Sequence, residues 1–260
     1  MLDRAANYEL RNWPTVDVGG LPVTASTLAG AAEDLVNYAL SPWRRPLPVI
    51  STSVNGQVLS LCAKDPATRA LVAAADIIHC DGQPLVMLSR MLGRRALPER
   101  VATTDLYPAT AALAAASGVT FYLLGATASV NREAVARSRR AFPGLRIVGS
   151  SHGYLSEEAE RDVVAEIARL KPDILWVALG APREQAFCVR NREALAGVGV
   201  IKTAGGLFDF VAGAKSRAPV ALQRAGLEWL FRLSIEPRRL FLRYAVTNPH
   251  ALLIMLKTMR

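Results

Sequence analysis

Short apolar runs alternate with longer helical patterns between Leu47 and Thr203, and this alternation limits the possible folds more than any other feature of the sequence. It is typical of successive βα units that build a mostly parallel sheet. Several runs place Val, Ile and Leu at consecutive positions, which is the pattern of strands covered on both faces. The sequence therefore predicts an α/β fold with an open, doubly wound sheet and helices on both of its faces.

The elements of this sheet follow one another along the chain. We predict strands at Leu47–Thr52, Asp76–Cys80, Val119–Leu124, Leu145–Gly149, Asp173–Leu179 and Val198–Thr203. Apolar periodicity predicts helices at Asn55–Ala63, Gln83–Leu92, Asp105–Ser117, Ser129–Phe142, Ser156–Leu170 and Arg183–Leu195. A small hairpin is expected at Val16–Val23, because the paired glycines Gly19 and Gly20 suit a two-residue turn.

The chain changes character after Gly213, where prolines separate the predicted helices. These helices are Pro219–Ser234, Pro237–Val246 and Pro249–Met259. The last two mix large apolar residues with Arg and Lys, so they suit either an amphipathic segment on a membrane surface or a helical pair packed on the core. We therefore divide the chain into a principal α/β domain at residues 1–212 and a C-terminal appendage at residues 213–260.

The net charge of +9 is concentrated in this appendage, which carries nine Lys or Arg residues and two Glu residues. Such a segment binds an anionic partner, and charge alone leaves open whether this is nucleic acid, an anionic bilayer or a diphosphate. Aromatic residues such as Trp229 and Tyr244 lie between the basic ones, and proteins that bind single-stranded nucleic acid use such residues to stack on the bases. A nucleic-acid partner leaves the glycines and the acidic residue discussed below unexplained, so we predict none.

Cysteine and histidine usage argues against disulfides and against a metal site. The three cysteines are odd in number and form no Cys-x-x-Cys pair, and the three histidines lie far apart. This pattern fits a reducing cytoplasm. Neither a signal peptide nor an apolar run of the length of a spanning helix is present, so we expect a protein that is not integral to a membrane.

Glycines follow several predicted strands, at the edge where open α/β sheets bind their ligands. Glycine lets the backbone approach a ligand, and a following helix offers free N–H groups to phosphate. Gly125, Gly180 and the pair Gly205-Gly206 therefore suit a nucleotide diphosphate, although each alone also suits an ordinary βα turn. The fingerprints of dinucleotide-binding and P-loop proteins are absent from the sequence, which argues against both classes.

Asp81 stands directly after the predicted strand Asp76–Cys80 and before Gly82. A carboxylate at such a strand end can accept the proton of an attacking hydroxyl group while a diphosphate leaves. The same position equally suits an N-cap for the helix Gln83–Leu92, and the sequence leaves both roles open. Arginines of the appendage can stabilise a leaving diphosphate, because their charge is permanent and their fork is bidentate.

Ordered motifs between Val16 and Arg239 resemble those of the WecG/TagA/CpsF glycosyltransferase family, glycosyltransferase family 26. The motifs are S-V-N (53–55), D-G (81–82), E-R-V-x-x-x-D (99–105), L-L-G (123–125), F-P-G-L-x-I-V-G (142–149), H-G-Y (152–154), G-A-P-R (180–183), G-G-L-F-D-F-x-A-G (205–213), R-A-P (217–219) and G-L-E-W-L-F-R-L (226–233). So many motifs in the right order make a chance resemblance improbable.

The resemblance implies a Rossmann-like, inverting glycosyltransferase that needs neither a metal nor another cofactor. It would move a hexose or N-acetylhexosamine from a UDP-sugar to an undecaprenyl-diphosphate-linked sugar, in bacterial cell-surface or exopolysaccharide biosynthesis. UDP-glucose, UDP-N-acetylmannosamine and its uronate are the donors left open. The resemblance also implies a peripheral protein on the cytoplasmic face of the cell membrane, whose appendage contacts the bilayer. A homo-oligomer is compatible with all of this.

The resemblance also implies roles for individual residues. Asp81 would be the catalytic base, Asn55 and Ser53 would lie beside it near the transferred sugar, and Arg100 would bind donor or acceptor. The residues implied to line the UDP site are Gly125, Tyr154, Gly180, Pro182, Gly206, Phe208 and Asp209. Those implied to contact diphosphate from the appendage are Arg232, Arg239 and Arg243.

The chain departs from the family pattern in three places. Ser53 replaces the usual threonine and keeps its hydroxyl group, whereas Ala102 and Thr103 replace a Thr-Gly pair and alter the loop. Glu184 and Gln185 stand in the reverse of the usual Gln-Glu order, so the functional amide maps onto Gln185 by chemistry and onto Glu184 by alignment. These changes motivate one alternative, a catalytically idle nucleotide-binding subunit of a polysaccharide assembly complex. We assign the catalytic amide to Gln185.

Overall fold

The computed structural model describes residues 13–41, 46–92 and 95–258, and the side chains of Arg239 and Arg243 lie outside the described part. Its central strands are β3 (Val49–Val54), β4 (Ile77–Cys80), β5 (Thr120–Gly125), β6 (Arg146–Ser151), β7 (Ile174–Ala178) and β8 (Val200–Thr203). They form one sheet in the order β4-β3-β8-β7-β5-β6, with every pair of neighbours parallel. The predicted Rossmann-like α/β architecture is therefore confirmed.

The predicted N-terminal hairpin is also confirmed. Strands β1 (Thr15–Val18) and β2 (Leu21–Thr24) pair antiparallel around a turn in which Gly19 and Gly20 both have positive φ. Glycine reaches these dihedral angles without steric cost. Asp17 accepts a hydrogen bond from the backbone N–H of Gly20 at 2.7 Å, which closes the turn.

Helices cover both faces of the sheet. In chain order they are α1 (Leu28–Leu40), α2 (Gly56–Lys64), α3 (Pro66–Ala73), α4 (Gln83–Leu92), α5 (Thr103–Ser117), α6 (Ala128–Ala141), α7 (Glu157–Leu170), α8 (Arg183–Arg190), α9 (Leu207–Val211), α10 (Val220–Arg224), α11 (Glu228–Ile235) and α12 (Pro237–Thr258). Sequence periodicity missed α1, α3 and α9. Two of these carry clear start signals, because Thr27 caps α1 and Asp65 caps α3 with Pro66 in its first turn.

Trp176 of β7 is the largest fully buried side chain and anchors the core on one face of the sheet. Its ring meets Tyr107 of α5 edge to face, with 4.9 Å between ring centroids, and lies 5.8 Å from the ring of Phe121 in β5. Helices α1, α5 and α6 contribute to this core, while α7 and α8 cover the opposite face. The two apolar faces explain why the strands read as continuous apolar runs.

We expect Trp176→Ala to lower the free energy of unfolding by about 3–5 kcal/mol, since a truncated buried aromatic leaves a cavity among neighbours that cannot collapse into it. Chemical denaturation monitored by circular dichroism measures the change. Val220→Ala is a suitable control, because the Val220 side chain is 61% exposed, and it should change the stability by less than about 0.5 kcal/mol. A loss below about 1 kcal/mol for Trp176→Ala would contradict this account of the core.

The C-terminal helices differ from those predicted. The expected break at Pro249 was wrong, because Pro237 to Thr258 form the single helix α12 with Pro249 inside it. The predicted helix Pro219–Ser234 is divided into α10 and α11 at Gly226, whose positive φ ends the first of them. Contacts made by α12 along its length outweigh the one backbone hydrogen bond that a proline cannot donate. The predicted helix Arg183–Leu195 ends early, at Arg190.

Helix α12 packs on the main domain through one of its faces. Ala251 and Met255 are buried in a cluster with the hairpin, α2 and α4. Phe241 and Leu242, near the start of α12, are mostly exposed. The two interpretations of this segment are therefore compatible, since part of α12 packs on the core while several of its large apolar side chains stay exposed. The division of the chain at residues 212 and 213 stays a prediction.

Candidate active site

The predicted site residues Ser53, Asn55 and Asp81 meet at the carboxyl ends of β3 and β4, which are neighbours in the sheet. The backbone N–H of Asp81 donates to the carbonyl oxygen of Val54 at 2.8 Å, which ties the end of β4 to the end of β3. Asn55 caps α2, because its side-chain oxygen accepts hydrogen bonds from the backbone N–H groups of Gln57 and Val58, both at 3.1 Å. This capping orients the Asn55 amide at the mouth of the site.

The Asp81 carboxylate is held by Thr103 at the start of α5. Its Oδ2 atom accepts hydrogen bonds from the Thr103 backbone N–H at 3.3 Å and from the Thr103 hydroxyl group at 3.1 Å. In the described part of the chain, the Asp81 carboxylate is hydrogen-bonded to these two groups of Thr103 and not to the first backbone amides of α4. Asp81 is therefore not the N-cap of α4, the other role that the sequence left open. Thr103 is one of the positions at which the sequence departs from the family pattern, and it supplies both hydrogen bonds to the Asp81 carboxylate.

Burial raises the pKa of Asp81 above its ordinary value, because the charged form loses contact with water. The positive charges of Arg100 and Lys202 and the hydrogen bonds from Thr103 oppose that rise. The result is a carboxylate of increased basicity at the edge of the sheet where parallel strands end. This is the property required of a general base near neutral pH.

Arg100 lies among acidic groups that connect the main domain with the appendage. Its guanidinium group donates to Glu228 of α11 at 2.8 Å and to Asp105 of α5 at 3.3 Å. Arg217 binds the same Asp105 through two hydrogen bonds, at 2.7 and 3.1 Å, and Arg232 binds the same Glu228 at 2.8 Å. Three arginines and two carboxylates thus form one cluster, in which Glu228 links two of the predicted anion-binding residues.

The Glu228 carboxylate is well suited to this linking position. Burial alone would raise its pKa, but the charges and hydrogen bonds of Arg232 and Arg100 prevail and lower the pKa below its ordinary value. The Arg232 guanidinium group also lies over the ring of Phe210, 4.8 Å from its centroid. Sequence reasoning missed Glu228, although it is one of two acidic residues in a strongly basic segment.

Glu184 and Gln185, whose order is reversed relative to the family pattern, are both buried at the start of α8. Glu184 Oε2 accepts hydrogen bonds from the backbone N–H of Gly180 at 3.0 Å and of Gly205 at 2.8 Å, so it clamps the loops after β7 and β8. Burial raises the pKa of Glu184 to about 7, against the effect of these hydrogen bonds. The backbone amides of Gly180 and Gly205, two of the four glycines predicted to suit a diphosphate, are therefore already bound to a carboxylate.

Gln185 points away from the clamped loops. Its Nε2 atom donates to the Thr52 hydroxyl group at 3.0 Å, and Thr52 in turn lies 2.9 Å from the Thr203 hydroxyl oxygen. Through these hydrogen bonds Gln185 links α8 to β3, and Thr52 links β3 to β8 beside the site. Its assignment as a catalytic residue stays a prediction.

The other residues implied to bind UDP lie at or near the same edge of the sheet. Gly125 is the last residue of β5 and has φ of 141°, and a Cβ atom there would meet the Ala178 carbonyl oxygen at 2.2 Å, so a side chain is excluded. Tyr154 is 71% exposed, whereas Phe208 is fully buried in the core. The remaining ones are Pro182, which follows a cis peptide bond, Gly206, which caps α9, and Asp209, which forms an ion pair with Lys215 at 2.7 Å. Their contacts with UDP stay predictions.

Lys202 is a site residue that sequence reasoning missed. It lies in β8, is fully buried, and donates to the Ser53 hydroxyl group at 2.9 Å. The available signal was a lysine inside the apolar run V-I-K-T. A buried lysine is rare unless it is paired, so this pattern alone marks the position.

A metal centre is not formed by the described part of the chain, in which no group of three or more His, Cys, Asp or Glu side chains is arranged to hold an ion. The cations near Asp81 are those of the side chains Arg100 and Lys202. The predicted diphosphate contacts of Arg239 and Arg243 depend on side chains that lie outside the described residues.

Comparison with known proteins identifies the relatives of this chain. The Glycosyl transferase WecG/TagA/CpsF family matches residues 16–260. An N-acetylglucosaminyldiphosphoundecaprenol N-acetyl-beta-D-mannosaminyltransferase of Bacillus spizizenii (strain ATCC 23059 / NRRL B-14472 / W23) is 35% identical over 176 residues, which are 68% of this chain and 67% of that protein. A protein of the same name from Bacillus subtilis (strain 168) is 29% identical over 226 residues, 86% of this chain and 85% of that protein. The chain therefore belongs to the WecG/TagA/CpsF family of glycosyl transferases.

Proposed function

We propose that this glycosyltransferase moves a sugar from a UDP-sugar to a lipid-diphosphate-linked sugar in the synthesis of a bacterial cell-surface polysaccharide. The observation that carries the proposal is the Asp81 carboxylate, which lies at a strand end with one oxygen bound to Thr103 and with cationic side chains nearby. The names of the two relatives support N-acetylglucosaminyldiphosphoundecaprenol as acceptor and an N-acetylmannosamine donor. A role in exopolysaccharide synthesis is one form of this proposal.

The proposed reaction is a direct displacement at the anomeric carbon of the donor sugar. Asp81 accepts the proton of an acceptor hydroxyl group, and the oxygen of that group attacks the anomeric carbon from the side opposite to the diphosphate. The bond between the anomeric carbon and the diphosphate oxygen breaks, and UDP leaves with the electron pair. A single displacement inverts the anomeric configuration, and the proton remains on Asp81 until solvent removes it.

The arginine cluster supports the departure of UDP. Arg100 and Arg232 both hold Glu228 in this structure, and a diphosphate presents the same kind of oxygen acceptors with more negative charge. We infer that the donor diphosphate takes the place of Glu228 on these two guanidinium groups. Because the required positive charge comes from arginine, the reaction should not depend on an added divalent cation.

The exposed face of the appendage supports a peripheral attachment to the inner face of the cell membrane. Large exposed apolar side chains of α11 and α12 lie among basic residues, and they are Leu230, Ile235, Phe241, Leu242, Val246, Leu252 and Leu253. An apolar groove between the two helices is lined by Trp229, Leu233, Phe241, Tyr244 and Leu252. No helix in the described ranges is both long and apolar enough to cross a bilayer. A surface of this kind binds anionic lipid and lies beside a lipid-linked acceptor.

We expect transfer from one member of a UDP-sugar panel that includes UDP-N-acetylmannosamine, its uronate and UDP-glucose, with a short-chain N-acetylglucosaminyl lipid diphosphate as acceptor. EDTA is present throughout, and a parallel series contains Mg²⁺ instead. Product formation followed by mass spectrometry should be equal in both series, because arginine rather than metal stabilises the leaving group.

Three other outcomes of this experiment separate the alternatives. UDP binding without transfer from any donor would favour the catalytically idle nucleotide-binding subunit. Transfer in the Mg²⁺ series alone would contradict the proposed role of the arginines. Neither transfer nor UDP binding would overturn the proposal, and strong salt-sensitive binding of oligonucleotides would then revive a nucleic-acid partner.

A further inference from the structure

Lys202 is a cation in the interior of the central sheet. It is fully buried in β8, where its neighbours across the sheet are Ser51 in β3 and Trp176 in β7. An ammonium group removed from water is costly unless hydrogen bonds and opposite charges surround it. The packing of an apolar strand does not require a lysine at this position, so the groups that its charge reaches are the ones that can explain it.

A chain of hydroxyl groups leads from Lys202 to Asp81. The Lys202 ammonium group donates to the Ser53 hydroxyl oxygen at 2.9 Å, and this oxygen lies 3.3 Å from the Thr103 hydroxyl oxygen. The Thr103 hydroxyl group donates to Asp81 Oδ2 at 3.1 Å. The direction of each bond follows from its ends, because an ammonium group can only donate and a carboxylate can only accept.

This direction has a geometric consequence for Asp81. Every hydrogen of the chain points from Lys202 toward Oδ2, and the Thr103 backbone N–H donates to the same oxygen at 3.3 Å. Oδ2 therefore has two donors, and Oδ1 is the oxygen left to face the acceptor hydroxyl group. Reversal of any hydroxyl group in the chain would place two hydrogens or two lone pairs against each other.

Other charged or titratable groups also surround this chain and must be considered with it. They are His79 and Cys80 in β4, Arg100 before α5, and Glu184 and Cys188 in α8. Burial and the charge of Lys202 lower the pKa of His79 to about 3, so His79 is neutral over the working range. Burial raises the pKa of Cys80 to about 12 and that of Cys188 as well, so both thiols stay neutral.

Lys202 itself lies between two carboxylates. Burial lowers its pKa to about 8, and the negative charges of Asp81 and Glu184 oppose that change. The group therefore carries its charge at neutral pH. Arg100, the other cation near Asp81, is held by Glu228 of the appendage and by Asp105 of α5. Lys202 is held by groups of the sheet itself, since it donates to the Ser53 hydroxyl group and to the Thr203 carbonyl oxygen, both at 2.9 Å.

We propose that Lys202 is a positioning residue for the general base: through Ser53 and Thr103 it fixes which oxygen of Asp81 receives the proton and keeps that carboxylate ionised. This inference rests on the proposed function, since it assigns Lys202 a role through Asp81. Lys202 has no contact with either substrate in this account. Its removal should alter the protonation of Asp81 and leave UDP binding unchanged.

The test is the titration of Asp81 in the full-length protein, with and without Lys202. In Lys202→Met we expect the Asp81 pKa to rise by about one unit, because an opposite charge that favours ionisation is removed. Carbon-13 NMR of labelled aspartate carboxyl groups measures this without any substrate, and Asp81→Asn assigns the signal. Lys64→Met, which removes an equal charge from an exposed position at the end of α2, should leave the signal unmoved.

The same shift should be visible in the reaction. The acid limb of the pH profile of kcat/KM should move upward by about one unit in Lys202→Met, so that activity below the limb is about tenfold lower while it approaches the wild-type level at higher pH. A merely structural role for Lys202 would lower activity equally at all pH values. The UDP dissociation constant from calorimetry should stay within about twofold of that of the wild type.

Three results separate this inference from the proposed function. An Asp81 titration that does not move in Lys202→Met overturns the inference, and Lys202→Gln, which is neutral but still polar, provides the same test if the methionine variant does not fold. If the Asp81 pKa rises in Lys202→Met but the pH profile of kcat/KM does not change, Lys202 does act on Asp81, and the result counts against Asp81 as the base. A wild-type protein without transfer counts against the proposed function alone.

Discussion

Asp81→Asn should reduce kcat by about 10²- to 10⁴-fold, the range that a general base contributes. The side-chain carbonyl of asparagine can accept the two hydrogen bonds that Thr103 donates to Asp81 Oδ2, at 3.3 and 3.1 Å, so the local structure should persist. Asparagine cannot take up the proton of the acceptor, and only the chemical step is lost. Single-turnover transfer measured with saturating donor and acceptor reports this step directly.

The control for this variant is Asp17→Asn in the hairpin turn, which makes the same chemical change far from the strand ends. Its kcat should equal that of the wild type. UDP affinity in Asp81→Asn should stay within about twofold of the wild-type value, since the base acts on the acceptor and the arginine cluster is untouched. Retention of more than a tenth of the wild-type kcat would show that Asp81 is not the base.

Replacement of the exposed apolar side chains near the start of α12 should detach the protein from membranes. Phe241 and Leu242 are 61% and 73% exposed, and each contributes about 1.5–3 kcal/mol if it is fully buried in lipid. The double variant Phe241→Glu/Leu242→Glu also adds two negative charges, which an anionic bilayer repels. Binding to vesicles that contain anionic lipid should therefore fall by at least about 100-fold in a sedimentation assay.

A matched double variant, Leu40→Glu/Val189→Glu, tests whether any two such changes would act in the same way. Leu40 and Val189 are each 37% exposed, lie in α1 and α8, and belong to the main domain. This variant should bind vesicles as the wild type does. Transfer to a water-soluble short-chain acceptor should persist in the α12 variant, and vesicle binding at the wild-type level would contradict a membrane role for this face.

The central sheet could be predicted from the sequence because its cause is local. Each of the six strands is a short apolar run bounded by glycine or polar residues, and both ends of every strand were predicted to within two residues. The position of Asp81 followed for the same reason, since a residue after a parallel strand must lie at the ligand-binding edge. The appendage arginines followed as a group from the charge of that segment, whereas Arg100 entered through an ordered motif rather than through physical reasoning.

The errors in the helices have two different origins. The break predicted at Pro249 did not occur, because Ala251 and Met255 on the far side of the proline are buried against the hairpin and α2 and hold α12 together. Helix α1 was missed although Thr27 caps it and its alanines favour a helix, so the local signal for this element was present in the sequence. For α12, long-range packing therefore decided an element for which the internal proline was a poor local guide.

The sequence by itself determined the parallel sheet, the edge at which the site lies and the charge of the appendage, because these depend on periodicity, strand order and residue type. The tertiary structure alone decided the partners of the site residues: Asp81 with Thr103, Arg100 with Glu228, and Lys202 with Ser53, whose positions are 22, 128 and 149 residues apart. Hydrogen bonds and ion pairs act over a few ångströms, and residues so distant in sequence reach that range only after the chain has folded.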